Sequence, residues 1–445
     1  MLGLMRTFAV IVLGCLFVTP RPLFAQEPEL SLSEAIQIAL MNNRPAKIAQ
    51  LDITKADWEV ASTKTKRFPA ISTYLFGSKN LTSPSFTFKA NTFQTPQGEP
   101  VPATDTKIAL SSGFTGYTVA EVAQPLTQLY KIGLAIHEQK LEVDLSREKY
   151  QAKRQSVVAD VKQAYYAVLQ TESALDSASA AVKQYQETDR VVLDYIAQRS
   201  VLKSSSLDVK AKLAQAQYQV VQLNDTLQTQ KEKLNNLLGR DLDTPFHTEQ
   251  VPAIQYEESD LKVARQTALT QRPEVKEAEI DTHRAEYDRR LAKAQYIPDI
   301  GAAFHYMTPF NTAILPQNIA SAGFEMRWEP FEWGRRRDDV KQKETVVEQS
   351  KYQLDETRSQ VVLDVDNSFR KLAESRSLLA VAEAARAAAN EKLREVNDKF
   401  RRSAVLLRDV LEQQAAVASA DNEYEESLLA FWSAKASFEK ALGEE

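Results

Sequence analysis

The sequence is poor in the residues that build disulfides, metal centres and tight turns. It has one cysteine, Cys15, four histidines and 12 glycines among 445 residues. A single cysteine cannot form a disulfide within the chain, and the histidines show no HExxH or other metal-ligand spacing. No nucleophile–base pattern or phosphate-binding loop is present either. We therefore predict a protein without a metal site, without a cofactor and without enzyme activity.

Glycine and proline are absent altogether from the stretch between Arg335 and Leu442. Its apolar residues recur at steps of three and four, as in Val362, Val365 and Phe369, which is the period of a helix with a narrow apolar seam. One straight helix over the first two thirds of this stretch would already be roughly 100 Å long. We therefore predict an antiparallel helical hairpin that turns near residues 401–407.

The first 25 residues have the features of a secretory signal peptide. Arg6 precedes an apolar stretch over residues 8–18, and Ala25 is a suitable last residue before cleavage. A lipoprotein signal that ends at Cys15 is the alternative. Removal of residues 1–25 leaves 53 basic and 60 acidic residues, a net charge of −7, which argues against nucleic acid as a partner. The chain is predicted to be exported.

The remaining chain reads as a tandem duplication, which is a strong guide to fold. The same residue types recur 204 positions apart, as in Val161 and Val365, Tyr165 and Phe369, or Gly239 and Gly443. We predict a first repeat over residues 26–240 and a second over residues 241–445. Each contains a helix, two strands and a long helical hairpin. The predicted hairpins cover residues 134–238, with a turn near 199–206, and residues 335–442.

Four segments have the pattern of β-strands, and the clearest one alternates apolar and charged residues. They cover residues 69–77, 114–124, 298–306 and 321–329. Their apolar faces contain Tyr74 and Phe76 in the first repeat, and Phe304, Tyr306, Phe324, Met326 and Trp328 in the second. A half-buried sheet of a soluble domain would show the same pattern. The smallest membrane barrels have about eight strands, so strands in a membrane would require two or three chains to share one barrel.

Several short motifs occur in one order along the chain, and in this order the sequence resembles the TolC family of outer-membrane efflux proteins. The motifs are Leu32-Ser33-Glu34-Ala35, Arg44-Pro45, Arg67-Phe68-Pro69-Ala70-Ile71, Gln124-Pro125-Leu126, Glu329-Pro330-Phe331-Glu332-Trp333-Gly334, and the endings Leu238-Gly239 and Leu442-Gly443. The resemblance implies a mainly α fold with a small β part. It implies a homotrimer with a shared β-barrel in outer-membrane lipid, continued by a periplasmic α-barrel.

The resemblance also implies a passive exit duct of a tripartite efflux or type I secretion system. Its partners would be a periplasmic adaptor (membrane fusion protein) and an inner-membrane transporter. The alternative is an adaptor-like coiled-coil protein without a channel. Such proteins have one long hairpin between glycine-rich β domains, whereas this chain is predicted to have two hairpins.

In the TolC family the tips of the helical hairpins close the periplasmic entrance, near an Asp-Val-Leu motif. The matching residues here are Asp409-Val410-Leu411, so Asp409 is the expected gate residue, with Glu412 and Arg408 beside it. Asp409 and Glu412 are three residues apart and share one face of a helix. The residues expected at the hairpin tips, where the adaptor would bind, are Arg401, Arg402, Ser403, Ser205 and Asp208. A glycine is usual at the family's turn, and Gln198 and Ser403 stand nearest to it here.

Overall fold

The structure is a computed structural model that describes residues 28–79, 81–82, 85–109, 113–198, 202–249, 260–311, 316–402 and 404–444. The predicted signal peptide, including Cys15, lies outside these residues, and so does Ser403. The described chain is mainly helical with a small β part, as predicted. The division into repeats at residue 240 stays a prediction.

The elements follow one another in chain order. They are β1 (Glu29–Leu30), α1 (Leu32–Asn42), α2 (Arg44–Thr65), β2 (Ala70–Lys79), β3 (Ser85–Phe88), β4 (Phe93–Gln94), β5 (Pro100–Val101), β6 (Thr106–Ala109), β7 (Phe114–Pro125), α3 (Gln128–Ala197), α4 (Lys203–Leu238), β8 (His247–Thr248), α5 (Leu261–Gln271), α6 (Pro273–Ala294), β9 (Asp299–Phe310), β10 (Ile319–Arg327), α7 (Arg335–Arg401) and α8 (Leu407–Leu442). Pro45 and Pro273 lie in the first turns of α2 and α6, where the fixed φ of proline suits a helix.

Two long helical hairpins dominate the molecule and confirm the prediction made from the sequence. Helices α3 and α7 have 70 and 67 residues, which makes each about 100 Å long at 1.5 Å per residue. Each turns into a helix of 36 residues, α4 or α8. None of the described helices is both long and apolar enough to cross a membrane.

The apolar seam seen in the sequence forms the core of the helical part. Val161, Tyr165 and Val168 are fully buried in α3, and Val365 is fully buried in α7. The Tyr165 hydroxyl lies 2.8 Å from the carbonyl oxygens of both Leu30 and Glu249. Burial raises the pKa of Tyr165 to about 12, so the hydroxyl stays protonated. The hydroxyl therefore ties the start and the middle of the chain to α3.

A four-stranded antiparallel sheet extends beyond one end of the helices, with the strand order β10-β9-β7-β2. Its strands confirm the four predicted segments, although β9 continues four residues further, to Phe310, and β10 ends at Arg327. Trp328 therefore lies just beyond the strand to which the sequence assigned it. Within the described chain, β2 and β10 each have a sheet partner on one side only.

Three small strand pairs were not predicted. The polar segment between β2 and β7 contains two short antiparallel pairs, β3 with β6 and β4 with β5. Next to Tyr165 of α3, β1 and β8 form a parallel pair of two residues each. These strands are too short for periodicity to reveal them, because two to four residues cannot establish an alternation.

Candidate functional site

The four-stranded sheet has one apolar face and one polar face, set by the cross-strand register. Phe304 and Tyr306 of β9 share the apolar face with Phe324 and Met326 of β10. These side chains are exposed in the single chain, with Phe324 at 79% and Met326 at 63%. Exposed aromatic and aliphatic side chains on alternate strand positions are typical of a surface that faces lipid. These four residues therefore share one face of the sheet, as predicted, and the contact of this face with lipid stays a prediction.

The first repeat contributes different residues to the apolar face than its sequence predicts. Tyr74 and Phe76 lie on the polar face, where both rings contact Tyr117 at centroid distances of 6.1 and 5.3 Å. The apolar face of β2 is formed instead by Ile71 and Leu75, which are 78% and 69% exposed. The prediction that Tyr74 and Phe76 belong to the apolar face of the sheet is therefore wrong. The sequence of β7 alternates too loosely to show which of its residues share a face. The faces assigned to the residues of β2 therefore could not be checked against this strand.

The polar face carries all the charged residues of the sheet's central part. Glu121 of β7 stands directly opposite His305 of β9, and Glu325 and Arg327 of β10 lie on the same face. Charged side chains on a lipid-facing surface cost several kcal/mol near the bilayer midplane, about 2–4 for Arg or Lys. We therefore expect the polar face to meet water.

The junction between β10 and α7 is formed by the motif Glu329–Gly334, whose individual roles the sequence did not reveal. The Glu332 carboxylate, 9% exposed, pairs with Arg335 at 2.6 Å and also contacts Arg336. Trp333 and Gly334 both have positive φ, 56° and 93°, and Gly334 precedes the first residue of α7. The Glu332 carboxylate thus holds the first turn of a very long helix at the edge of the sheet.

At the far end of the second hairpin, Asp409 lies in the first turn of α8. Its carboxylate accepts a hydrogen bond from the backbone N–H of Leu406 at 3.0 Å. Arg408 is 83% exposed at its side chain and approaches the Asp409 carboxylate to 3.9 Å. Glu412 is exposed one turn further along the helix, while Val410 is buried. The structure thus brings Asp409 and Arg408 together at the tip, with Glu412 on the solvent side.

The other predicted tip residues are also at the hairpin ends. Arg401 and Arg402 are exposed at the end of α7 and form no ion pair with Asp409 or Glu412 in the described part of the chain. In the first hairpin, Asp208 is exposed and Ser205 is half-buried. The two tips therefore differ in charge, since an aspartate occupies the place in α8 that a serine occupies in α4.

An ion-pair cluster near the base of the hairpins holds α6 against α7. Arg272 lies 2.9 Å from Glu274 and 3.2 Å from Asp364, with its side chain 11% exposed. Burial opposes the charge of Arg272, but hydrogen bonds and attraction from the two carboxylates outweigh it and raise the pKa of the guanidinium. Burial likewise opposes the charge of Glu274, yet the contact with Arg272 lowers the pKa of that carboxyl. The cluster stabilises the packing of α6 against α7 and contains none of the predicted gate residues.

Comparison with known proteins gives the same architecture. The family described as "Outer membrane efflux protein" matches residues 35–240 and 264–444. No curated protein matches the chain. Among solved structures, CusC is 16% identical with a TM-score of 0.76, and the match covers 94% of this chain and 93% of CusC. The CmeC outer membrane channel of Campylobacter jejuni is 15% identical with a TM-score of 0.74, over 93% of this chain and 85% of CmeC.

A third structure is similar to the same extent. The open state of the MtrE outer membrane channel of Neisseria gonorrhoeae is 16% identical with a TM-score of 0.71, over 93% of this chain and 89% of MtrE. Likeness at such low identity establishes a common fold, and the family match over most of the chain establishes kinship. The resemblance to TolC-like proteins is thereby confirmed. The chain therefore belongs to the outer membrane efflux protein family, and it has the fold of outer membrane channels such as CmeC.

Proposed function

We propose that three copies of this chain form the exit duct of a tripartite efflux or type I secretion system. The duct is passive, and it receives its cargo from an inner-membrane transporter through a periplasmic adaptor. The observation that carries this proposal is the four-stranded sheet, which has one exposed apolar face and two strands, β2 and β10, with a single partner each.

An open sheet cannot reside in lipid, because the unpaired N–H and C=O groups of its edges would have no hydrogen-bond partners there. Pairing of β10 of one copy with β2 of the next satisfies both edges at once. Repetition of that contact about an axis closes a barrel, with the apolar face outward and the polar face toward the lumen. Three copies match the oligomer implied by the TolC resemblance.

The periplasmic gate of this duct is assigned to Asp409, Glu412 and Arg408. In a symmetric trimer, one inward carboxylate per chain becomes a ring of three, which attracts cations and repels itself as the pore narrows. Asp409 and Glu412 on one helix face would form two such rings, one turn apart. Arg408, already 3.9 Å from Asp409, offers the cation that lowers this repulsion in the closed state.

The adaptor contact is assigned to the exposed hairpin tips. Arg401 and Arg402 present two positive charges at the end of α7, and Ser403 follows them in the sequence. Asp208 and Ser205 provide an acidic and polar surface on the neighbouring tip. Alternating charge around the tips would orient a partner and hold its register, as charged rims do in other interfaces.

The deciding experiment is single-channel recording in a planar lipid bilayer with the mature protein purified from outer membranes. A small, cation-preferring conductance that increases in Asp409→Asn supports both the duct and the gate. Asp208→Asn is the matched control, because it removes the same charge from the other hairpin and is expected to change little. A wide pore that is insensitive to both substitutions would remove the gate assignment. Absence of conductance from correctly folded oligomer, both in the wild type and in the gate variant Asp409→Asn, would overturn the duct.

A further inference from the structure

Three potential metal ligands meet on the polar face of the sheet. They are Glu121 of β7, His305 of β9 and Glu325 of β10, and one ligand atom from each lies within 4.8 Å of the other two. Glu121 and His305 are direct cross-strand partners. All three residues are at least partly exposed, so their side chains can rotate toward a common centre.

Glu325 is not the direct cross-strand partner of His305, although both side chains lie on the same face of the sheet. Its cross-strand partner is Gly301, whereas the partner of His305 is Ser321. Between these two pairs, on the same face, stands the pair Ala303 and Gly323. Because these residues have small side chains or none, the long side chains of His305 and Glu325 can pass over them. The imidazole Nε2 and the carboxylate Oε1 come within 3.5 Å.

The charge of this cluster is not compensated by the protein. In the described chain no lysine or arginine lies within 4.0 Å of the Glu121 or Glu325 carboxylate. Arg327, the basic residue on this face of β10, stands opposite Asp299, and Asp299 is already bound by Lys131 at 2.6 Å. Two carboxylates and an imidazole therefore lie within a few ångströms of one another without a basic side chain in contact with either carboxylate.

We propose that Glu121, His305 and Glu325 bind a divalent first-row transition-metal ion, with Zn²⁺ as the representative case. Two carboxylate oxygens and one imidazole nitrogen are the oxygen and nitrogen donors that Zn²⁺, Co²⁺ and Mn²⁺ accept, and they leave one or more positions for water. A soft ion such as Cu⁺ would prefer thiolate or thioether ligands, which are not among the three. The ion's two positive charges offset the two carboxylates.

The three ligands come from three strands of one chain, so the site does not need a second copy to be complete. Its position on the lumenal wall rests on the shared barrel proposed above, but metal binding itself does not. A bound ion would link β7, β9 and β10 across the sheet. It would also place positive charge on a wall that is otherwise acidic at this level, so that each occupied site makes the lumen less attractive to cations.

The test is equilibrium dialysis of the purified mature protein against Zn²⁺, with the bound metal measured by mass spectrometry. We expect the wild type to bind one more Zn²⁺ per chain than His305→Gln or Glu325→Gln, since each substitution removes one ligand and keeps its size. His283→Gln, an exposed histidine on α6, is the matched control and is expected to bind as the wild type does. His247→Gln accounts for any metal held near Glu172, which lies 3.5 Å from His247.

A second measurement keeps the result unambiguous. Co²⁺ bound by mixed nitrogen and oxygen ligands gives visible absorption bands that change when the nitrogen ligand is removed. We expect these bands in the wild type and in His283→Gln, and their loss in His305→Gln. Equal Zn²⁺ stoichiometry and equal Co²⁺ spectra in the wild type and His305→Gln would overturn the metal site. Such a result would leave the channel proposal untouched, since the shared barrel rests on the pairing of β2 with β10 and not on a bound metal.

Discussion

The carboxylate of Asp409 accepts a hydrogen bond from the backbone N–H of Leu406 and so closes the first turn of α8. The same side chain is the proposed gate residue, so its charge and its hydrogen bond must be separated by experiment. Asp409→Asn removes the charge but keeps an oxygen acceptor, whereas Asp409→Ala removes both. If charge repulsion at the constriction matters, both variants are expected to alter cation preference in bilayer recordings.

The helix cap makes a separate contribution that the same pair of variants reveals. Loss of an N-terminal capping bond costs about 0.5–2 kcal/mol, so only Asp409→Ala is expected to loosen the tip. Limited proteolysis near residues 402–407 measures this. A normal conductance in Asp409→Asn combined with a raised one in Asp409→Ala would mean that Asp409 shapes the tip and does not form an acidic ring.

The segment between β2 and β7 is expected to face the outside of the cell. Gln97 lies in the exposed turn that connects β4 and β5, at the end of the sheet opposite the helices. A short epitope inserted after Gln97 should be labelled by antibody on intact cells. An epitope inserted after Asp243, in the exposed turn that follows α4, should be labelled only after permeabilisation of the outer membrane. The reverse pattern would contradict the orientation of the duct.

Two glycines that end α4 and α8 are expected to differ in their tolerance of a side chain. Both Gly239 and Gly443 have positive φ, 70° and 86°, where an L-residue costs about 1–2 kcal/mol. A Cβ on Gly239 would also lie 2.4 Å from the carbonyl oxygen of Asn42, whereas a Cβ on Gly443 would stay 3.2 Å from the Arg272 nitrogen. Gly239→Ala should therefore unfold at a lower temperature than Gly443→Ala. Thermal unfolding monitored by circular dichroism measures the difference. Equal melting temperatures would show that Asn42 moves aside.

Glu277 on α6 predicts a pH dependence of stability. Burial raises the pKa of this carboxyl above its ordinary value of 4.5, and nearby Glu274 and Asp281 add to the rise while Lys149 opposes it. A raised folded pKa means that ionisation costs stability at neutral pH. Glu277→Gln should therefore stabilise the protein at pH 7 by a fraction of a kcal/mol, roughly the size usual for partly exposed sites.

The stabilisation by Glu277→Gln should shrink as the pH falls through the raised pKa, and it should vanish near the ordinary value of 4.5. Denaturant titrations at several pH values measure this. Glu279→Gln on the same helix is the control, because it removes the 2.8 Å ion pair with Arg358 and should not stabilise at any pH. A gain from Glu277→Gln that is independent of pH would exclude ionisation as its cause.

The long-range plan of the fold could be predicted from the sequence because it depends on local signals. The absence of glycine and proline after Arg335, together with the apolar steps around Val365, was sufficient for a helical hairpin. Proline at Pro69 and Pro298 preceded two of the strands within a residue of where they begin. These signals lie within a few residues of the elements that they specify, so they can be recognised without knowledge of tertiary contacts.

The features that could not be predicted from the sequence depend on the register in which the strands pair. Tyr74 and Phe76 alternate correctly for a strand, yet which face they occupy is decided by β7, through the pairing of Phe76 with Tyr117. The cluster of Glu121, His305 and Glu325 depends likewise on two strand pairings, one of which joins residues 184 positions apart. A search for ligand spacing along the chain could not find it, because the residues are neighbours only across the sheet.

In the described chain, β2 and β10 each pair with one strand only, and this affects how mutations in these strands are inherited. In the proposed trimer, a chain damaged at one of these strands still pairs through the other, and so enters assemblies and leaves their barrels open. If equal amounts of intact and damaged chains mix at random in threes, only about one assembly in eight contains intact copies alone. Such a mutation should therefore behave as dominant over the normal gene, whereas a mutation that prevents the chain from folding at all should be recessive.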